Sequence, residues 1–350
     1  MLEHKISKRL SHYSQNSLLR EIVTADSRLI NFSSNDYLGI SKSNKVKQAF
    51  IEGINLYGFG SGASPLISGY YSSTQKLEQT FAQILKTEQA IFFNSGYHAN
   101  IGLIQALGMP VVMDKLCHAS IIDGAKLSGE KFYRYKHNDL KHAEALLAKA
   151  PNSLLISERV FSMEGDIADI EGLSALSNHL IIDDAHGFGI LENNIQCFCI
   201  VIPLGKALGG VGAIVAGSKE LIEYLRQFAR SYAYSTALPP ANVHANLAAL
   251  NVMQEETWRL ERLKNLIEFF NIKARSAGLN LASQHLTPIR SILIKDDIQA
   301  KLLEKKLQAK GFFVKAIVKP TVQISRLRIS ICALHREEDI INLIDTIICK

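Results

Sequence analysis

Between residues 90 and 216 one pattern repeats: a short, unbroken apolar run, then a stretch of helical period. The runs are Ala90–Phe93, Val111–Met113, Leu154–Ile156, Leu180–Ile182, Ile200–Ile202 and Ala213–Ala216. Most are bounded by Gly, Asp, Ser or Pro. Apolarity that is continuous rather than alternating indicates strands covered on both faces. Such strands, separated by helices, build a largely parallel sheet coated by helices, an α/β fold.

The flanks complete the expected organisation. Residues 1–30 are polar and read as helix, with Leu10, Leu18 and Leu19 as sparse anchors. A turn-rich segment follows at 31–39, then helix over 43–55. The glycine- and serine-rich stretch 58–70 is either a flexible loop or a backbone that approaches something closely. Helix resumes over 72–87. Downstream, Ser218 caps a helix with Leu221, Ile222, Leu225 and Phe228 on one face. Residues 241–276 lack Gly and Pro and read as one long helix. Strand (289–294), helix (297–309), strand (312–317), strand (326–332) and helix (336–348) then form a small α+β unit. The expected division is an N-terminal helix and segment (1–40), a large domain (41–243) and a small C-terminal domain (244–350).

Composition narrows the partners. With 39 Lys+Arg against 33 Asp+Glu the net charge is +6, and the basic residues are scattered. A nucleic-acid partner is not expected; a weak attraction for anionic substrates or an acidic carrier protein remains. The most apolar window, 197–217, contains Lys206, Pro203 and five glycines, which is no membrane span. Five scattered cysteines, with no secretory signal before them, point to reduced thiols in a cytoplasmic protein. Cys197 and Cys199 are too close for the usual zinc clasp and have no second pair, so no metal is expected.

Two places carry chemistry. Asp183-Asp184-Ala185-His186 follows the run Leu180–Ile182 directly, and functional groups of an α/β sheet gather at the carboxyl ends of its strands. The plain alternative is a turn with an exposed acidic pair. Lys206 sits in the most apolar window, where burial lowers an amine's pKa and makes it a nucleophile able to form Schiff bases. The plain alternative is a lysine reaching out of a loop. A carboxylate and a lysine at two strand ends are what pyridoxal 5'-phosphate requires: the acid keeps the ring nitrogen protonated and the lysine holds the aldehyde.

These motifs resemble the α-oxoamine synthase family of fold-type I pyridoxal-phosphate enzymes, from about residue 30 to the C-terminus. The resemblance rests on FSSNDYLG (32–39), GSG and SGY (60–70), NSGYHAN (94–100), HASIIDG (118–124), HND (137–139), ERVFSMEGD (158–166), DDAHGFG (183–189), LGKALGG (204–210), YSTALPPA (234–241) and RLRIS (326–330). Their order and separation carry it, since each alone is weak. It implies an aspartate aminotransferase-like fold, with a mostly parallel seven-stranded sheet in the large domain. SSNDYLG and YSTALPPA favour the biotin-pathway branch, which condenses L-alanine with a pimeloyl thioester on CoA or acyl carrier protein and releases CO2. The alternatives are a sister acyltransferase using glycine and acetyl-CoA, or a non-catalytic paralogue. A dinucleotide-binding reading of Gly205, Gly209, Gly210 and Gly212 fails, because no acidic residue follows a second strand.

The resemblance also implies roles. Lys206 carries the cofactor aldehyde, Asp183 pairs with the ring nitrogen, His186 lies near the ring hydroxyl and His118 stacks on the ring. Gly96 and Tyr97 hold the phosphate, which fits a helix start where free N–H groups and the dipole attract an anion. Ser162 contacts the cofactor. Ser235 and Thr236 reach the phosphate of a partner subunit, implying a homodimer. Asn35 and Arg328 hold the amino-acid carboxylate, Thr321 lies on the substrate side, and Arg20 matches an N-terminal substrate arginine or is a helix-surface residue. Pro203 replaces a hydroxyl residue that usually donates to the phosphate, and Pro has no N–H to offer in its place. The stretches 186–206 and 321–326 are short for the family.

Overall fold

The structure is a computed structural model and describes residues 1–15, 19, 22–24 and 26–349. It opens with helix α1 (Leu2–Gln15), strand β1 (Ile30–Asn31) and helices α2 (Asn44–Tyr57) and α3 (Ser72–Leu85). Strands and helices then alternate: β2 (Gln89–Phe93), α4 (Gly96–Leu107), β3 (Val111–Asp114), α5 (Ala119–Ser128), β4 (Phe132–Tyr135), α6 (Leu140–Lys149), β5 (Leu154–Glu158), α7 (Ile170–Leu176) and β6 (Leu180–Asp183). Next come β7 (Cys199–Pro203), β8 (Ala213–Gly217), α8 (Lys219–Phe228), the short α9 (Arg230–Ala233), α10 (Pro240–Glu255) and α11 (Trp258–Ser276). The C-terminal part holds β9 (Ile289–Leu293), α12 (Asp297–Ala309), β10 (Phe312–Phe313), β11 (Lys315–Ile317), β12 (Arg326–Ser330) and α13 (Glu337–Ile348).

Seven strands form the main sheet in the order β2-β8-β7-β6-β5-β3-β4. Only β8 runs against its neighbours; the other pairs are parallel. All six apolar runs become strands of this sheet. The seventh, β4, lies at the edge and is only partly buried, so it has no continuous apolar run to announce it. Side-chain caps start several covering helices: Ser95, Asp139, Asp169 and Ser218 accept an N–H at the starts of α4, α6, α7 and α8. Apolar clusters fill both faces, one around Ile104, Ile121, Val215 and Leu225, the other around Phe81, Ile202, Leu250 and Phe270. The second continues into Ile289, Leu327 and Leu343 of the C-terminal part, where β11, β12 and β9 form an antiparallel sheet.

Strand direction decides where the chemistry collects. Because β8 is antiparallel to both β2 and β7, those two run the same way as β3, β5 and β6. Asn94–Gly96, His118, Ser162, Asp183–His186 and Lys206 follow β2, β3, β5, β6 and β7 respectively. All therefore leave the sheet at one edge.

Three local expectations need correction. Among the described residues the N-terminal helix covers Leu2–Gln15 and buries none of its residues; Leu10 and Leu19 are exposed rather than anchoring, and Leu18 lies outside the described residues. The stretch 241–276 is two helices, broken at 256–257, where Arg259 turns inward to donate to Glu256 Oε2 and the carbonyl of Leu38. The stretch 312–317 is two strands with different partners: β10 pairs with β1, and β11 with β12.

Candidate active site

The acidic pair at the end of β6 is divided in its partners. Buried Asp184 accepts from Arg159 Nη1 at 3.1 Å; burial still pushes its carboxyl up to about 7. Asp183, also buried, has no such ion pair. Its Oδ2 accepts from Asn100 Nδ2 at 2.7 Å and its Oδ1 from the Ala185 N–H at 3.1 Å. Burial raises its pKa, and the Asn100 bond together with the charges of His118 and Lys206 pulls back. Beside it Glu158, in register with Asp183, is pushed well above the usual carboxylate range, by burial and then by the Asp183 charge.

Lys206 stands in a compact turn between β7 and β8. Gly209 N–H donates to the Lys206 carbonyl, and Leu204 and Gly210 close the turn behind it. Asn246 on α10 bonds both backbone groups of Val211. Gly209 has φ +66°, and a Cβ there would come within 2.6 Å of the Ser41 backbone nitrogen, so the turn admits glycine and little else. Among the described residues the Lys206 amine makes no hydrogen bond or ion pair. Burial, then the charge of Arg328, lower its pKa.

The front of α4 is built from three loops. Ser95 caps the helix, accepting from His98 N–H at 3.1 Å, while the first N–H groups, at Gly96 and Tyr97, have no intrahelical acceptor. Asn94 Nδ2 holds the Thr236 carbonyl at 2.7 Å. The glycine-rich loop joins them: Ser61 Oγ donates to the Ala237 carbonyl at 2.7 Å, and Ala237 N–H to the Ala63 carbonyl at 3.0 Å. Thr236 is exposed and Ser235 half-buried. Pro203 packs directly on Gly96, where a Cβ would lie 2.5 Å from Pro203 Cγ. The usual hydroxyl position is thus filled by a ring wedged against the helix start.

His118 caps α5. Its Nδ1 lies 2.7 Å from Ser120 Oγ, which accepts from the same Asn100 that holds Asp183. The exposed ring stands edge-on to Tyr97 with centroids 6.5 Å apart; Tyr97 Oη donates to Asp123 at 2.5 Å.

A second chain of bonds reaches the C-terminal part. Buried Arg328 on β12 donates from Nε to the Ser162 carbonyl at 2.6 Å, from Nη1 to Ser330 Oγ at 3.0 Å and from Nη2 to Asn35 Oδ1 at 3.0 Å. Asn35 Oδ1 also accepts from Tyr37 Oη, which is 2.7 Å from His186 Nδ1. Burial, then the nearby cations Lys206, Arg328 and His118, hold His186 well below its ordinary range, so the ring is neutral. With Tyr37 donating to Asn35, the Nδ1 of His186 carries the proton. Among the described residues no carboxylate lies within 4.0 Å of Arg328, whereas buried Arg326 pairs with Glu164 at 2.8 Å. A guanidinium that is buried, three-point held and lacking a counter-ion is suited to a ligand carboxylate.

Twelve of the thirteen residues singled out from the sequence are described. Lys206, Asp183, His186, His118, Ser162, Asn35 and Arg328 are joined by these bonds and mutual charges, Tyr97 meets the His118 ring edge-on, and Gly96 packs on Pro203. Ser235 and Thr236 border the α4 front. Thr321 is exposed on a turn between β11 and β12, and its side chain makes no hydrogen bond to the others. Arg20 lies outside the described residues. Asn100, Ser120 and Tyr37 were missed as working parts. All three lie inside or beside recognised motifs, and the signal was a polar side chain on an otherwise buried face.

The donor set fits pyridoxal phosphate. It offers an unpaired, partly buried amine of lowered pKa, a buried carboxylate with spare acceptor capacity, and free N–H groups at a helix start. The chain matches the model for aminotransferase class I and II over residues 27–347. It therefore belongs to that family of pyridoxal-phosphate enzymes.

Individual relatives narrow the comparison. The chain is 40% identical over 342 residues to the 8-amino-7-oxononanoate synthase of Saccharophagus degradans, covering 91% of this chain and 86% of the relative. It is 35% identical to the crystal structure of 8-amino-7-oxononanoate synthase from Francisella tularensis, with a TM-score of 0.82 over 92% of this chain and 98% of the other. A Sphingomonas wittichii serine palmitoyltransferase structure, at 24% identity and TM-score 0.89 over 98% of this chain and 95% of the other, shares the fold.

Proposed function

We propose that this protein joins L-alanine to a pimeloyl thioester, releasing CO2 and free thiol and giving 8-amino-7-oxononanoate for biotin biosynthesis. The observation that carries this reading is the pairing of similarity, over nine-tenths of the chain, to synthases of that name with a Lys206 and an Arg328 that have no ion-pair partner among the described residues. Pyridoxal phosphate, when bound, supplies an electron sink for the carbon that loses its proton. Lys206 would hold it, Asp183 would hold its ring nitrogen, and the N–H groups of Gly96 and Tyr97 its phosphate. Arg328 and Asn35 clamp the alanine carboxylate and so orient its Cα–H bond. Lys206, its pKa lowered by burial, takes the Cα proton and later returns one. His118, open to solvent and bonded to Ser120, serves as a second proton carrier. Neutral His186 holds a hydrogen bond rather than a charge. Ser162 would contact the cofactor, and Thr321 would lie on the substrate side.

A homodimer completes this reading. Phe59, Ile67 and Tyr234 are 97%, 82% and 76% exposed on the stitched loops at the α4 front. Apolar side chains so placed favour burial by a second copy, bringing Ser235 and Thr236 to its phosphate site. Among the described residues no helix is long and apolar enough to cross a membrane, and the location we propose is the cytoplasm. The deciding experiment is thiol release from pimeloyl-CoA with L-alanine, beside acetyl-CoA with glycine. Faster turnover of the first pair, lost in Lys206→Ala, is expected. Faster turnover of the second would move the protein to a sister acyltransferase.

A further inference from the structure

We propose that His137, held between Asp114 and Asp166, is a positioning residue that sets the guanidinium of Arg328. This rests on the reading that Arg328 takes the amino-acid carboxylate. His137 lies in the turn after β4. Its Nδ1 is 3.1 Å from both carboxylate oxygens of Asp114, and its Nε2 is 2.7 Å from Asp166 Oδ2. Ionised carboxylates only accept, so both ring nitrogens donate and the ring is an imidazolium. Burial opposes that charge, but the bonds to the two aspartates outweigh it and raise the pKa to about 9. Asn138 doubles the clamp, with N–H to Asp114 Oδ2 and Nδ2 to Asp166 Oδ2, both at 2.9 Å. The Phe161 ring meets His137 edge-on, centroids 4.4 Å apart.

Asp166 closes a tight hairpin from Val160 to Ile167. Phe161 N–H donates to the Asp166 carbonyl at 3.0 Å, Gly165 N–H to the Phe161 carbonyl at 2.8 Å, and Val160 bridges Ile167. The hairpin tip faces the C-terminal sheet. Its Ser162 carbonyl accepts Arg328 Nε, and its Met163 carbonyl accepts Arg326 Nη1 at 3.1 Å and Ser291 Oγ at 2.7 Å. The clamp on Asp166 thus fixes the root of the element whose tip orients Arg328. His137 and Arg328 make no direct bond. A bidentate grip on a carboxylate tolerates little displacement of the guanidinium, so loosening the root weakens the grip.

The test is a double-mutant cycle on the holoenzyme, with L-alanine titrated near neutral pH and followed by cofactor absorbance. His137→Gln should raise the dissociation constant about 10-fold in the wild-type background and by less than about twofold in Arg328→Lys, because both changes disable one unit. A purely structural His137 would lower melting temperature yet leave the two effects independent, and that result overturns the proposal. So does alanine affinity within twofold of wild type in His137→Gln. If that variant does not fold, Asp166→Asn keeps the shape, loosens the clamp and must show the same non-additivity. If Arg328→Lys alone leaves alanine binding unchanged, the carboxylate reading of Arg328 falls, and the proposal with it.

Discussion

Asp183 and Asp184 are chemically identical neighbours with different work, and their partners explain it. Asp184 neutralises Arg159 inside the protein, so Asp184→Ala strands a buried cation. We expect a loss of about 3–5 kcal/mol in denaturant unfolding. Asp183 faces an amide rather than a cation. Asp183→Asn should keep the melting temperature close to wild type and abolish thiol release. Tyr37 gives a third contrast at this scale. Tyr37→Phe leaves the aromatic packing intact but removes the link between Asn35 and His186. It should destabilise by about 1 kcal/mol, the usual worth of a buried hydrogen bond, and weaken alanine binding in a spectral titration.

Helix starts are the elements on which the site depends. The front of α4 is confined by Pro203 on one side and the Thr236 loop on the other. Gly96→Ala places a methyl group against the proline ring, and overpacking of this kind destabilises by about 1–3 kcal/mol. Because relief requires the helix start to move, pyridoxal phosphate affinity should fall with it, measured by absorbance on reconstitution. The start of α8 provides a control remote from the chemistry. Ser218→Ala removes the bond to Leu221 N–H and should lower stability by about 1 kcal/mol with no change in turnover.

Charge and association act on the whole molecule. The His137 clamp predicts a particular pH dependence. Its folded pKa, raised from 6.5 to about 9, means the clamp stabilises fully below the unfolded value and fades as pH rises through the folded one. Wild type should therefore lose melting temperature between those limits more steeply than His137→Gln, a comparison made by thermal unfolding across the range. The proposed homodimer should be equally visible. Ile67→Asp puts a charge on the exposed loop joined to the Thr236 segment; wild type should sediment as a dimer and the variant as a monomer with reduced cofactor retention.

The strand runs, the cap at Ser218, and the motifs around Asp183 and Lys206 were all legible in the amino-acid order. Each depends on local composition: apolar continuity, a hydroxyl before a helix, a polar group after a strand. The edge strand β4 was not legible, because a half-exposed strand needs no apolar run. Nor was the break at 256–257, beside which Arg259 reaches Leu38 some two hundred residues away. The sequence alone thus determined the fold class and the family, and it singled out the residues proposed for the site. Only the tertiary structure decided which aspartate has no ion pair, that Arg328, Asn35, Tyr37 and His186 form one bonded chain, and that His137 bonds both Asp114 and the Asp166 of the hairpin. The physical reason is that these are bonds between segments far apart in sequence, fixed by strand direction and packing that no local pattern encodes.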